Sequence, residues 1–509
     1  MTGPNQPGAV PHEAQPRSQQ QLDQANNLVR RLQQRIAKAT QQRKWRKVRA
    51  LQHLLTRSHS AKILAVERVV TNQGKNTPGV DGVIWKSPKQ LLAAVQSLRA
   101  RGYRPKPLRR LYIPKKNGKL RPLGIPTMRD RAMQALYLLA LEPVAETLAD
   151  PHSYGFRPAR SCADALRQVQ IVLAHRGAPR WILEGDIQAC FDRIDHQWLL
   201  DHIPLEKSIL RKWLQAGYME RAVWNPTIAG TPQGGIISPV LANLALDGLQ
   251  ARLLQAFPKR VGRRTLQNPK VNLVRYADDF IITGSSKELL DEQVRPLVVD
   301  FLAERGLVLS PEKTLVTHID EGFDFLGQNV RRYGKKVLCI PARSSVKALY
   351  GKLREVTRES WHLQPADLIR RLNPKIIGWA AYHRHGSSKA TFTRLDHLIF
   401  RLVWQWARRR HPQKSKHWIT ARYFKRDKGN RRVFFGWQQS SRGSEQVTLA
   451  SAERMRIIRY IKVRSELNFH DPQWTEYLAE RRQNPRARGF PALQWSVSRE
   501  ASSLMSVPG

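Results

Sequence analysis

Leu273-Val274-Arg275-Tyr276-Ala277-Asp278-Asp279-Phe280-Ile281-Ile282-Thr283 sets two adjacent acids between two apolar, β-rich runs. The pattern predicts a hairpin with carboxylates at its tip. Aspartate in a turn is common for conformational reasons alone, so a bare Ala-Asp-Asp is more often a structural turn than a site. Adjacent carboxylates also repel each other, and keeping both ionised makes chemical sense where divalent cations sit, since hard Mg²⁺ takes a few carboxylates together with phosphate oxygens. A second strand-like run, Trp181-Ile182-Leu183-Glu184-Gly185-Asp186-Ile187, carries an acid that is costly to bury without a metal or a cationic partner. Glu184, two residues before Asp186, falls on the same strand face and is a peripheral candidate. Three carboxylates from two strands suit a pair of cations, one activating a primer 3′ hydroxyl and the other bracing a leaving pyrophosphate, which is nucleotidyl transfer. Spacing alone does not make Asp186 and Asp278 neighbours, since they are 278 − 186 = 92 residues apart.

The composition points to the partner. Lys plus Arg number 87 against 40 Asp plus Glu, a formal net charge of +47 over 509 residues. Basic charge on that scale, with long stretches almost free of acids, favours nucleic acid over an anionic membrane surface. The most apolar segment, Ala132 to Leu148, is broken by Gln134, Glu142 and Pro143, so it reads as a buried helix and no membrane partner is expected. The first residues lack the apolar stretch of a signal peptide. Cys162, Cys190 and Cys339 are odd in number and far apart, which argues against a disulfide framework and for a reducing cytoplasm. The absence of any Cys-x-x-Cys excludes the usual zinc ribbons and knuckles.

Along the chain, residues 1–23 read as a disordered segment and 24–90 as a basic N-terminal extension. Leu28, Leu32 and Ile36, then Val48, Leu51 and Leu55, fall at helical spacings. Eleven Lys or Arg and no acid lie between Gln24 and Val66, and Arg30, Arg31 and Arg35 are expected on an RNA backbone. Residues 91–335 alternate short strands with helices, an α+β pattern. Residues 336–412 turn helical, 413–482 form a basic region and 483–509 a tail. Between Arg401 and Arg442, thirteen Lys or Arg and a single acid, Asp427, interleave with Trp404, Trp406, Trp418, Tyr423, Phe424, Phe434, Phe435 and Trp437. Such a mixture suits phosphate neutralisation and base stacking, with Arg408, Arg409, Arg410, Lys425 and Arg426 as candidate contacts. Some of these rings, Trp404 among them, also fit a core stripe.

Tyr276-Ala277-Asp278-Asp279 resembles the signature of reverse transcriptases, and the surrounding blocks resemble the proteins encoded by group II introns. Leu108 to Lys115 with Arg121 to Pro126, then Ser153-Tyr154-Gly155-Phe156-Arg157, then Gly185-Asp186-Ile187 with Cys190-Phe191-Asp192 stand in family order. Gly230 to Pro239 and Gly322 to Gly327 continue it, and Leu372-Asn373-Pro374 through His383 resembles the maturase region. The resemblance implies a right-hand polymerase fold with fingers and palm (91–335), an all-helical thumb or maturase domain (336–412) and a basic C-terminal extension whose 413–482 part is a maturase and DNA-binding region. It further implies that Asp186, Asp278 and Asp279, with Ile187 beside them, hold two Mg²⁺ ions. Lys115 and Arg121 stand where the family grips the incoming dNTP, with Phe191 as a steric gate against a ribose 2′ hydroxyl and Gln233 in the loop facing the templating pair. The implied partners are group II intron RNA, target DNA and a DNA primer, with no oligomeric state indicated. The His-Asn-His nuclease domain of many relatives is not recognisable here. A splicing-only maturase and a domesticated polymerase in defence or repair are the rival readings, and the three retained acids argue against the first. His383 and His385, at i and i+2, do not share a helix face and are read as core or RNA-facing residues rather than metal ligands.

Overall fold

The computed structural model describes residues 19–114, 120–221, 223–231, 234–258, 268–427, 429–440 and 443–487. Three helices open the chain, Gln19–Gln41, Trp45–Arg57 and His59–Thr71. Each turns an apolar stripe inward (Val29 and Ile36; Val48, Leu51 and Leu55; Ala65, Val66 and Val69) onto the helix Met128–Leu148. The first helix begins at Gln19, inside the segment expected to be disordered, because glutamine is a good helix former and extends the helix back from the buried Ala25. Met128–Leu148 is buried along most of its length, as its apolar run suggested, and the Thr127 hydroxyl caps it by accepting from Asp130 N at 3.2 Å.

Two four-stranded sheets follow. In the first, β1 (Leu108–Pro114) pairs antiparallel with β2 (Leu120–Ile125). The second is entered by β3 (Trp181–Asp186). The first sheet is then completed by β4 (Tyr218–Glu220), parallel to β1, and β5 (Val223–Asn225), in the order β2-β1-β4-β5. The second has the order β6-β7-β3-β8, with β6 (Asn272–Tyr276), β7 (Asp279–Gly284) and β8 (Leu315–His318). Alternation sends Leu183, Leu273, Phe280 and Ile282 into the main core, and Ile182, Val274 and Ile281 into a separate core on the other face. Burial on both faces is why these strands read as continuous apolar runs. A third sheet, ordered β11-β10-β9, holds β9 (Phe323–Phe325), β10 (Gln328–Tyr333) and β11 (Lys336–Pro341).

The boundary expected between residues 335 and 336 therefore falls inside a hairpin. Tyr333 pairs with Lys336 across a turn in which Gly334 has φ 57°, and helix begins only at Arg343. Three long helices, Arg343–Glu359, Pro365–His383 and Lys389–Arg410, pack through Leu353, Leu372, Ile376, Leu395 and Val403. The region expected to follow at 413–482 adds strands to this unit. A three-stranded sheet of β12 (Phe424–Arg426), β13 (Arg432–Ser440) and β14 (Gly443–Thr448) shares its core through Phe424 and Phe434.

Beyond β14 the chain returns to the second sheet, where Val463, Leu467 and Leu478 join the core that holds Tyr154, Ile182 and Val274. Asp164, its side chain 1% exposed, anchors that return. It accepts from Val463 N at 2.7 Å, Tyr460 Oη at 3.0 Å and Arg481 Nη2 at 3.1 Å. Gln41 Nε2 donates to Asp471 Oδ2 at 2.8 Å and Asn468 Nδ2 to Thr147 Oγ1 at 2.9 Å, so this strap also ties down the first helix and the buried one. Among the described residues no helix is long and apolar enough to cross a membrane.

Candidate active site

The hairpin β6–β7 turns through Ala277, whose φ of 57° is left-handed, and lifts Asp278 to its tip. Asp279 is the first residue of β7 and lies directly opposite Asp186, the last residue of β3. Two acids 93 residues apart in sequence thus meet at one end of the second sheet, with Asp278 beside them. Close approach of the strands depends on Gly185, where a Cβ would stand 2.2 Å from the Phe280 ring. Glu184 is engaged along the sheet instead: its Oε1 accepts from Thr317 Oγ1 at 2.8 Å.

Burial pushes the Asp278 carboxyl above its ordinary range and Asp186 adds to the push, while Arg121 and Lys313 oppose it. Lys313 Nζ donates to Asp186 Oδ2 at 2.7 Å, and that bond, with the pull of all three acids, holds the ammonium above its ordinary range. A lysine thus supplies the positive charge that a cation would supply. Among the described residues no three His, Cys, Asp or Glu side chains already stand at metal-holding spacing. A hard cation that draws several ligands from water and substrate phosphates needs only one or two carboxylates from the protein, so the all-oxygen donor set fits it. Ile187 is buried and bridges to Leu309, the bridge bonds running from Ser310 N to Asp186 O and from Gln188 N to Val308 O.

The surroundings fix the turn from below. Arg275, fully buried in β6, donates to Asp247, to Asn243 Oδ1 at 3.2 Å and to Ala277 O at 3.3 Å. The block Ser153–Arg157 runs beside β6, with Tyr154 N donating to Arg275 O at 2.9 Å and Arg275 N to His152 O at 3.0 Å. Arg157 then holds Glu146 in a two-pronged pair at 2.9 and 3.0 Å. Burial alone would push Glu146 up, but Arg157 and Arg160 outweigh it and its carboxyl sits below the ordinary range. These buried pairs were not anticipated. An arginine inside the apolar run Leu273–Tyr276 and a glutamate inside Ala132–Leu148 were the available signs, since a buried charge demands a partner.

Phe191 lies half-buried in the short helix Cys190–Arg193, edge-on to Phe156 at 6.3 Å. Its carbonyl accepts from Thr231 N at 2.6 Å, which seats the loop that begins at Gly230. Gly234 (φ 108°) abuts Gly124 O, bringing that loop against β2. Arg121, exposed on β2, acts electrostatically on Asp278. Lys115 and Gln233 lie outside the described residues, as does residue 232.

The nucleic-acid candidates separate. Arg30, Arg31 and Arg35 are exposed on one helix, Arg30 Nη2 donating to Thr475 Oγ1 at 3.4 Å. Arg408 and Arg409 are exposed, whereas Arg410 donates to Trp361 O at 3.1 Å and Leu363 O at 2.6 Å and is part of the helix packing. Lys425 donates to Gln446 and Arg426 to Asn430. His383 is a core residue, bonded to Gln328 and Ser345, and burial holds it down to about 3.

Residues 113–330 match the family of the reverse transcriptase (RNA-dependent DNA polymerase), 18–98 the N-terminal domain of reverse transcriptase, and 346–424 the group II intron, maturase-specific domain. Protein YkfC of Escherichia coli (strain K12) is 34% identical over 340 residues, 57% of this chain and 88% of that one. Group II intron-encoded protein LtrA of Lactococcus lactis subsp. cremoris is 35% identical over 331 residues, 53% of this chain and 54% of LtrA, so the match spans about half of that relative. A telomerase structure from Candida albicans in complex with a telomeric RNA fragment aligns at a TM-score of 0.36 and 12% identity, over 62% of this chain and 64% of that one.

Proposed function

Since the chain belongs to the family of group II intron reverse transcriptases with a maturase-specific domain, we propose that it copies RNA into DNA at Asp186, Asp278 and Asp279 and assists the folding and splicing of a group II intron RNA. The observation that carries the polymerase half is the pairing of Asp186 with Asp279 beside Asp278 at one sheet end. In this reading the first two sheets with their helices are fingers and palm, the three-helix unit with its small sheet is the thumb, and the protein works in the cytoplasm. Two Mg²⁺ ions held by the three acids and the Ile187 carbonyl would activate the primer 3′ hydroxyl and stabilise the departing pyrophosphate.

The chain's own groups supply the rest. Arg121 on β2, whose charge acts on Asp278, grips the triphosphate of a dNTP together with Lys115. The Phe191 ring, braced by Phe156, occupies the space a 2′ hydroxyl needs and so selects deoxyribose. Gln233 and its loop abut the templating pair. Lys313 holds the Asp186 side chain in place until substrate arrives. Arg275 and the Glu146–Arg157 pair keep the turn rigid, which matters because catalysis here is positioning plus charge stabilisation. Arg30, Arg31, Arg35, Arg408, Arg409 and Arg426 offer phosphate contacts to intron RNA, and insertion into a DNA target by target-primed synthesis follows from the same activity. The test is extension of a DNA primer on an RNA template by the purified protein with dNTPs and Mg²⁺. Product on RNA templates is expected, and a folded protein that extends nothing overturns the polymerase reading.

A further inference from the structure

Phe156 holds a backbone conformation that a bulky residue rarely takes: its φ is 57°, in the left-handed region. A residue with a Cβ is disfavoured there, so the surrounding structure must impose the conformation. Both neighbours do so. Gly155 O accepts from Asn243 Nδ2 at 2.8 Å, and the same glycine lies so close to the turn that carries Asp278 that a Cβ would stand 2.3 Å from Ala277 N. On the other side Arg157 Nη1 donates to Asp150 O at 2.8 Å and to Ser153 O at 2.9 Å, while its guanidinium pairs with buried Glu146. Phe156 is thus pinned between two anchored residues, and strain maintained in this way is characteristic of functional sites. Glycine would hold the same turn without strain; what phenylalanine adds is the ring.

That ring meets Phe191 edge-on, with centroids 6.3 Å apart and planes 74° from parallel, a favourable arrangement for two aromatics. The backbone of Phe191 is fixed independently. Ala189, just before the short helix Cys190–Arg193, is left-handed at φ 50°. Phe191 O accepts from Thr231 N at 2.6 Å, and a Cβ at Gly230 would come within 2.5 Å of that oxygen. Cys190 beside it feels the acids: burial pushes its thiol up to about 12, and Asp278 and Asp186 add to the push. The short helix therefore stands next to the acids, where a nucleotide reacting there presents its sugar. What the backbone anchors leave free is the half-buried Phe191 ring, because the χ2 torsion of phenylalanine is broad and packing has to narrow it.

We propose that Phe156 is a specificity-determining residue: it holds the Phe191 ring where that ring refuses a ribose 2′ hydroxyl, so discrimination between deoxyribonucleotides and ribonucleotides depends on both rings. Phe156 acts through Phe191 and is a positioning residue. The inference rests on the reading of Phe191 as the gate. A wall excludes one extra oxygen only if it does not yield, and a half-buried ring deprived of its edge-on partner can turn aside.

The experiment measures single-nucleotide incorporation of a dNTP and of the matching rNTP by the full chain on an RNA template with an annealed DNA primer. The ratio of the two kcat/KM values is compared for the parent, Phe191→Ala, Phe156→Gly and the double variant. Phe156→Gly removes the ring while glycine keeps the left-handed backbone, and with it the packing of Gly155 on the Ala277 turn. The dNTP/rNTP ratio should fall about tenfold in Phe156→Gly, the most that one edge-to-face pair carries, chiefly through faster rNTP incorporation. Phe191→Ala should lower the ratio further, and the double variant should match Phe191→Ala, because Phe156 then has no ring left to position. Phe156→Tyr, which retains the ring, should restore most of the selectivity. A parental ratio in Phe156→Gly where Phe191→Ala lowers it overturns this inference and leaves the gate standing. A parental ratio in Phe191→Ala overturns the gate, and the inference with it. Proportional losses with dNTP and rNTP in Phe156→Gly, or effects that add in the double variant, would also overturn the inference. Melting temperatures check folding, and Phe156→Leu, which keeps an apolar side chain, should give an intermediate ratio; a parental ratio in a folded Phe156→Leu protein counts against the inference in the same way.

Discussion

Replacing Gly155 by alanine should disable the active centre without touching a carboxylate. A Cβ at this position would stand 2.3 Å from Ala277 N, 2.9 Å from Tyr276 C and 3.0 Å from Ala277 Cβ. Ordinary contact begins near 3.4 Å, so one backbone must withdraw by about 1 Å, a displacement that costs roughly 10²-fold in rate when it misplaces a catalytic group. Neither side yields easily. Asn243 Nδ2 donates to Gly155 O at 2.8 Å, and Tyr154 N donates to Arg275 O at 2.9 Å. The turn that carries Asp278 is the part nearest solvent and should be the part that moves. Overpacking of this kind costs about 1–3 kcal/mol, so the protein should remain folded. Single-nucleotide incorporation on a primed RNA template should show kcat down by about two orders of magnitude with RNA affinity nearly unchanged. Gly351→Ala, where a Cβ meets nothing within 4 Å, is the matched control and should keep full activity. A folded Gly155→Ala protein that polymerises at the parental rate would refute the claim that this strand positions the turn.

Three further perturbations probe the scaffold. Burial holds His383 at about 3 against an ordinary 6.5, so as pH falls below 6.5 the unfolded chain takes up a proton that the native state refuses. Stability should decline by up to about 1.4 kcal/mol per pH unit across that window, and His383→Gln should flatten the decline in urea titrations at several pH values; parallel curves would contradict this. Asp164→Ala strands the Arg481 guanidinium in the core beside Tyr460, an unpaired buried charge that should cost about 3–5 kcal/mol. Asp164→Ala with Arg481→Met should recover part of that loss, and no recovery would mean that Asp164 acts through Val463 and Tyr460 alone. Neutralising exposed Arg408 and Arg409 together should lower the salt slope of RNA binding by about two, whereas Arg410→Gln, which loses the Trp361 and Leu363 carbonyls, should lower the melting temperature instead. A slope change from Arg410 alone would reverse that assignment.

The chemistry of the site was readable because it is written in local pattern. Asp278 and Asp279 between two β-rich runs gave the hairpin, and the apolar run into Asp186 gave the neighbouring strand. What spacing could not supply was the register that sets Asp186 opposite Asp279, because pairing across the 92 intervening residues depends on how the whole sheet assembles. Lys313 was invisible for a different reason. It is one of 87 basic residues, and nothing in Ser310-Pro311-Glu312-Lys313-Thr314 marks it as the one that reaches Asp186. The boundary at residue 336 was misplaced because Lys336–Pro341 is too short for its alternation to stand out before a strong helical stripe. The charge count from Arg401 to Arg442 treated Arg410 as equal to Arg408, since composition does not separate a guanidinium that binds phosphate from one that binds carbonyls. Eight aromatics in that stretch likewise looked alike until strand alternation divided the core rings from Phe435 and Trp437.

The central claim is that Asp186, Asp278 and Asp279 form a polymerase centre separable from the RNA-binding surfaces. Asp278→Asn with Asp279→Asn, assayed side by side for primer extension on RNA and for intron RNA affinity, tests it most directly. The account predicts loss of all DNA synthesis in Mg²⁺ with RNA affinity nearly intact, because the carboxylates face metal and substrate rather than the basic surfaces. Primer extension that survives in the folded double variant would contradict it.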